Sequence, residues 1–119
     1  DLKHRLKDPE FARSYGEHVA RAELAVAITR ARKEAGLTQQ ELARRIDKSQ
    51  AYIARLESGD ANPTIGTAGR IFAELGFKLV ISNAPIHEPI GYHEKVQDLD
   101  YEQPPRFHLL VREKREKQK

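Results

Sequence analysis

From Asp8 onward the apolar side chains fall on one face of a helix. Phe11, Tyr15 and Val19 recur every four residues, and Leu24, Ala25, Ile28, Ala31 and Ala35 continue the helical period. Asp8-Pro9-Glu10 is a start signal, because Asp caps free amides, Pro is preset for the first helical position and Glu favours the positive end of the helix dipole. The pattern predicts one helix over 8–35 or two helices broken near Gly16, and the glycine favours the break. Gly36-Leu37 then has the form of a left-handed stop, with Leu37 placed to make the apolar contact that accompanies it.

Shorter helices follow. Thr38-Gln39-Gln40-Glu41 has capping-box spacing, and Leu42, Ala43 and Ile46 point inward over about two turns. Asp47-Lys48-Ser49 interrupts the period. The next helix opens at Lys48 or Ser49, turns Ile53 and Leu56 to the core with Ala54 as a further candidate, and ends at Ser58-Gly59-Asp60. Past a turn at Asn62-Pro63, a helix over 64–75 is expected to bury Ile65, Ala68, Ile71, Phe72 and Leu75 and to stop at Gly76. Phe77 to Ser82 is rich in β-branched residues and reads as a strand. A lone strand needs a partner, and a second copy of the chain across a dimer axis supplies one, so Phe77, Leu79 and Ile81 are expected to form a dimer strand.

Beyond Asn83 the pattern loosens. Pro85, Pro89, Pro104 and Pro105 punctuate an extended arm, and Arg106 to Val111 is a candidate for a second short strand that serves a partner protein, a swapped dimer or a loosely held tail. The expected organisation is an N-terminal helical segment over 1–22, a DNA-binding domain over 23–76, a dimerising strand over 77–82 and an arm with a charged tail over 83–119.

Composition narrows the class only slightly. A net charge of +3 permits nucleic-acid binding without demanding it, and between Gly36 and Asp60 the cations Arg44, Arg45, Lys48 and Arg55 are matched by Glu41, Asp47, Glu57 and Asp60. The absence of cysteine removes disulfides and thiolate metal sites. His87, Glu88, His93 and Glu94 lack helical ligand spacing, so no metal and no other cofactor is expected. Apolar runs fall far short of the roughly 20 residues a membrane helix requires, and no secretory signal core opens the chain, so a cytoplasmic location is expected. Neither a metalloprotease motif nor a phosphate-cradling glycine loop nor a nucleophile constellation occurs, which argues against an enzyme.

Two short helices joined by a tight turn, the second opening in small and amide side chains, suit the major groove of DNA. The stretch Gly36-Leu37-Thr38-Gln39-Gln40-Glu41-Leu42-Ala43, then Ile46, Ser49-Gln50, Ile53 and Leu56-Glu57-Ser58-Gly59, resembles the Cro/C1 (XRE) helix-turn-helix family. The resemblance implies a mainly α, five-helix DNA-binding domain of the lambda repressor type, here with a short strand after the last helix and an extended arm. It also implies a homodimer on an operator palindrome in double-stranded DNA, with the recognition helix over 49–58. By the same resemblance Ser49, Gln50, Ala51, Tyr52 and Arg55 occupy base-reading positions, while Gln39, Thr38, Lys48 and Ser58 approach phosphates, Gln39 also bracing the recognition helix. Arg32 and Glu57 align with a structural ion pair. Asp47 departs from the family's usual glycine at the turn, and Gly66 and Gly69 sit unexpectedly inside a helix.

The larger frame, Leu6-Lys7-Asp8-Pro9-Glu10-Phe11 ahead of the domain and Leu75-Gly76-Phe77-Lys78-Leu79-Val80-Ile81 behind it, resembles HigA-type antitoxins. That likeness implies repression of the protein's own operon and neutralisation of a HigB/RelE-like ribonuclease toxin, with Phe11, Tyr15 and Val19 either core or toxin-facing. A solitary regulator without a toxin, and an interaction module that has lost DNA binding, are the alternatives.

Overall fold

A computed structural model of the chain describes residues 1–88 and the backbone of the strand at 108–111. The described residues form five helices, α1 (Leu2–Arg5), α2 (Pro9–Glu34), α3 (Gln39–Arg45), α4 (Gln50–Ser58) and α5 (Ile65–Glu74), followed by β1 (Leu79–Ser82) and β2 (His108–Val111). This is the expected mainly helical architecture, with a short strand after the last of these helices. Most of the proline-marked arm, with His93 and Glu94, and the tail after Val111 lie outside the described residues.

The helix count and the start at Asp8-Pro9 agree with expectation, but the favoured break at Gly16 does not form. α2 runs unbroken for 26 residues through Gly16 and begins at Pro9, where the start signal lies. A single interior glycine costs only about 1 kcal/mol, which a long helix tolerates. Proline, by contrast, cannot donate an amide hydrogen bond and drives the residue before it out of the helical region. Asp8 accordingly sits at φ −79°, ψ 116°, where its carboxylate accepts from the Glu10 amide at 3.2 Å.

One type of ending closes four successive helices. After α2, Gly36 takes φ 76°, its amide bonds the Lys33 carbonyl, and the Leu37 amide reaches back to Arg32. Gly59 and Asp60 repeat these bonds after α4, and Gly76 and Phe77 repeat them after α5. After α3 the left-handed position falls to Asp47, at φ 60°, with Lys48 bonding the Ala43 carbonyl at 2.9 Å. Each ending satisfies two orphan carbonyls and folds the next residue back. Phe77 shows the result, since its amide bonds the Phe72 carbonyl at 2.8 Å and its ring enters the core.

The core draws Leu24, Ile28 and Ala31 from α2, Leu42 and Ala43 from α3, Ile53 and Leu56 from α4, and Ala68, Ile71 and Phe72 from α5. Ile46, Ala61, Leu75 and Phe77 close it from the connecting turns. Two expected core residues are outside. Ile65 is 62% exposed because it stands on the first position of α5; periodicity identifies a face but not how far along the helix its cover extends. Ala54 lies on the outer side of α4. Phe11, Tyr15 and Val19 are half-buried and stand apart from the core cluster, with the Phe11 and Tyr15 rings stacked at 5.9 Å and the Arg5 guanidinium 4.3 Å from the Phe11 centroid.

β1 finds its partner within the chain. It pairs antiparallel with β2 in the register Leu79 with Val111, Val80 with Leu110, Ile81 with Leu109 and Ser82 with His108. Of the three residues expected on a dimer strand, Phe77 precedes β1 and is buried, Leu79 leans on the core, and Ile81 stands 47% exposed.

Gly69 lies inside α5, and a Cβ built there meets no atom within 4 Å. Gly69→Ala is expected to stabilise the folded chain by about 1 kcal/mol, through helix propensity and a less flexible unfolded state, as read by denaturant melts. A loss of stability instead would show that a second molecule fills that space.

Candidate nucleic-acid interface

The interface begins with the caps that fix where two helices start. Thr38 Oγ1 accepts from the Glu41 amide at 3.0 Å while Glu41 Oε1 accepts from the Thr38 amide at 2.8 Å, so both halves of the predicted capping box form. The bonds from Thr38 hold the Glu41 carboxyl below its ordinary pKa. Ser49 caps α4, its Oγ accepting from the Tyr52 amide at 3.1 Å. Both hydroxyls keep a proton to donate outward.

The turn between α3 and α4 is held twice. Asp47 supplies the left-handed step, and Arg70 of α5 donates through Nη2 to the Ile46 carbonyl at 3.2 Å. The Arg70 contact was not foreseen, since no local signal ties residues 24 apart. α4 then lies with Ile53 and Leu56 fully inside and with Ser49, Gln50, Ala51 and Arg55 exposed. Tyr52 is half-buried and its ring rests against the core cluster. The structure thus brings four of the five expected base-reading residues together on one outward surface and draws the fifth inward.

Behind that surface lies a polar clamp. Arg32 of α2 meets Glu57 of α4 in a two-pronged ion pair, Nε to Oε2 at 2.7 Å and Nη2 to Oε1 at 3.0 Å, with the side chains only 11% and 7% exposed. Arg32 Nη1 also donates to the Leu37 carbonyl at 2.8 Å, and Gln39 Nε2 donates to Glu57 Oε1 at 3.0 Å. Glu57 therefore ties α4 to α2 directly and to the start of α3 through Gln39. Burial pushes the Glu57 carboxyl upward, but hydrogen bonds from Arg32 and Gln39, with the Arg32 charge, outweigh it and leave the pKa lowered. The same carboxylate raises the Arg32 guanidinium, chiefly by hydrogen bonding.

The expected phosphate contacts separate by position. Thr38 and Lys48 are exposed, and Gln39 keeps its carbonyl and one amide proton beyond the bond to Glu57. Ser58 is exposed, but its hydroxyl is turned to its own helix end, 3.0 Å from the Arg55 carbonyl and 3.4 Å from Asp60 Oδ2. Among the described residues no group of three or more His, Cys, Asp or Glu side chains is placed to hold a metal ion, and no helix is long and apolar enough to cross a membrane.

The helix-turn-helix family model matches residues 28–81, which span the end of α2 through β1. An uncharacterized HTH-type transcriptional regulator, y4dJ of Sinorhizobium fredii (strain NBRC 101917 / NGR234), is 41% identical over 65 residues, covering 54% of this chain and 84% of that protein. No solved structure gives a significant match to the chain. The chain belongs to the Cro/C1-type (XRE) helix-turn-helix family of transcriptional regulators.

Cutting the clamp leaves a buried charge without its partner. Arg32→Ala is expected to destabilise the fold by about 3 kcal/mol in urea melts at neutral pH. Because the Glu57 pKa is lowered on folding, its contribution is complete above the usual carboxylate range and fades as pH falls through the lowered folded value. Stability of the wild type should therefore drop in acid more steeply than that of Glu57→Gln, and parallel pH profiles would contradict the assignment.

Proposed function

We propose that the chain is a sequence-specific transcriptional repressor that lays α4 in the major groove of an operator as a homodimer. The observation that carries this reading is the split of α4, with Ile53, Leu56 and Glu57 bound inward and Ser49, Gln50, Ala51 and Arg55 exposed on a rod fixed at both ends. Gln50 has the paired donor and acceptor that match an adenine edge, Ala51 suits a thymine methyl, and Arg55 reaches guanine or a phosphate. Thr38, Gln39 and Lys48 flank them as phosphate contacts that set the register. The balanced charge of the motif is the one feature that supports a module without DNA binding, and the exposed face of α4 favours the DNA reading over it.

A second chain is the partner that the palindrome requires, its half-sites about one helical turn apart. The exposed Ile65 and Ile81 support a contact through the start of α5 and β1. Gln50→Ala combined with Arg55→Ala is expected to abolish specific binding to the chain's own upstream DNA at fixed salt while leaving the melting temperature within a few degrees. Unchanged affinity in a mobility-shift assay would refute the reading face.

The finer reading makes this repressor the antitoxin of a type II toxin–antitoxin operon, binding a HigB/RelE-like ribonuclease. It is supported by the stacked Phe11–Tyr15 face on the part of α2 that precedes the matched domain, since that face lies apart from the core cluster. Co-expression with the adjacent reading frame should bring a small ribonuclease through purification with the chain. If no such frame adjoins the gene, the solitary regulator stands.

A further inference from the structure

Tyr52 was expected to read a base, yet its ring is half-buried against the core cluster rather than projected from α4. Two cations flank that ring. Lys48 Nζ lies 5.3 Å from its centroid and Arg55 Cζ lies 5.8 Å from it, both inside the range over which an aromatic face attracts a positive charge. Lys48 comes from the turn before α4, while Arg55 sits one turn along the helix, so a single ring links the two segments.

We infer that Tyr52 is a positioning residue for DNA recognition, one that holds Lys48 and Arg55 in place through its ring face instead of touching a base itself. The inference rests on the DNA-binding reading above and deepens it. Among the described residues neither Lys48 nor Arg55 forms an ion pair with a carboxylate, so the ring is the group that restrains them. The distinction matters chemically. A carboxylate would orient each cation but neutralise it and compete with phosphate, whereas an aromatic quadrupole restrains the side chain and leaves the full charge available to the duplex. Both side chains are long and exposed, and restraining them beforehand reduces the ordering entropy that binding must overcome. The ring is a suitable anchor because it leans on the core, which fixes its plane relative to Ile53 and Leu56.

The test uses the whole chain and a duplex enriched by the wild type from a randomised pool, with affinities measured at one salt concentration. Tyr52→Leu keeps apolar packing and removes the ring face; Tyr52→Phe keeps the ring and removes the hydroxyl. Thermal melts confirm that each variant is folded. The expected result is that Tyr52→Phe binds within about twofold of wild type and Tyr52→Leu about tenfold more weakly. Arg55→Ala should also cost clearly less when added to Tyr52→Leu than when made in the wild type, because the coupling has already gone. Equal losses for Tyr52→Phe and Tyr52→Leu would return Tyr52 to a contact made by its hydroxyl and overturn the inference. So would a Tyr52→Leu variant that binds like the wild type, or an Arg55→Ala effect identical in both backgrounds. A wild-type chain that enriches no sequence would instead remove the DNA reading on which the inference stands.

Discussion

The Glu57 carboxylate is the point at which the chain's stability and its proposed reading surface meet. Two elements reach it from outside α4: Arg32 of α2 binds it with two nitrogens and Gln39 of α3 adds a third hydrogen bond, while Arg32 also secures the Leu37 carbonyl at the exit from α2. A carboxylate this far from water is unfavourable alone, so its presence is tolerable only when every partner is in place. That condition makes the arrangement all-or-none. The last turn of α4 is held against α2, and Gln39 at the first position of α3 is held against α4, so the angle between the two short helices is set by polar geometry as well as by the apolar contacts of Leu42, Ile53 and Leu56.

The repeated left-handed helix endings complete the same design. A chain of short helices has many exposed carbonyl ends, and satisfying them within each turn lets helices of seven to ten residues persist beside the long α2. Asp47 performs this task where glycine is usual, and the Arg70 bond to the Ile46 carbonyl adds a tether at that same turn. The turn that separates α3 from α4 is therefore braced from α5, the last helix of the domain.

Much of this was legible from residues alone because it is written in local chemistry. Thr38 with Glu41, Ser49, Gly36, Gly59 and Gly76 mark helix ends through side-chain and backbone preferences that act over three or four residues, and each mark is where the chain turns. The pairing of Arg32 with Glu57 came through resemblance to a family, since nothing in a single sequence joins residues 25 apart. What escaped was decided by extent and by distance. The length of α2 turned on how little one interior glycine, Gly16, costs a long helix, the exposure of Ile65 on where the neighbouring elements end, and the folding-in of Phe77 on a helix ending whose sequence, Gly76-Phe77, matches Gly36-Leu37. The partner of β1 begins only at His108, past a long stretch with no pairing signal of its own. Tyr52 illustrates the limit for the site: its position on a helix wheel is lateral, and only the packed core decides whether such a ring turns in or out.

The most direct measurement is a nuclear magnetic resonance titration of the isotopically labelled chain with a duplex that it selects. The account predicts amide shifts concentrated at Thr38, Gln39 and residues 48–55, with the Ile53 and Leu56 methyl signals almost unmoved because their face stays on the core. Shifts centred on the Phe11–Tyr15 face or spread evenly over the surface, with 48–55 silent, would contradict it.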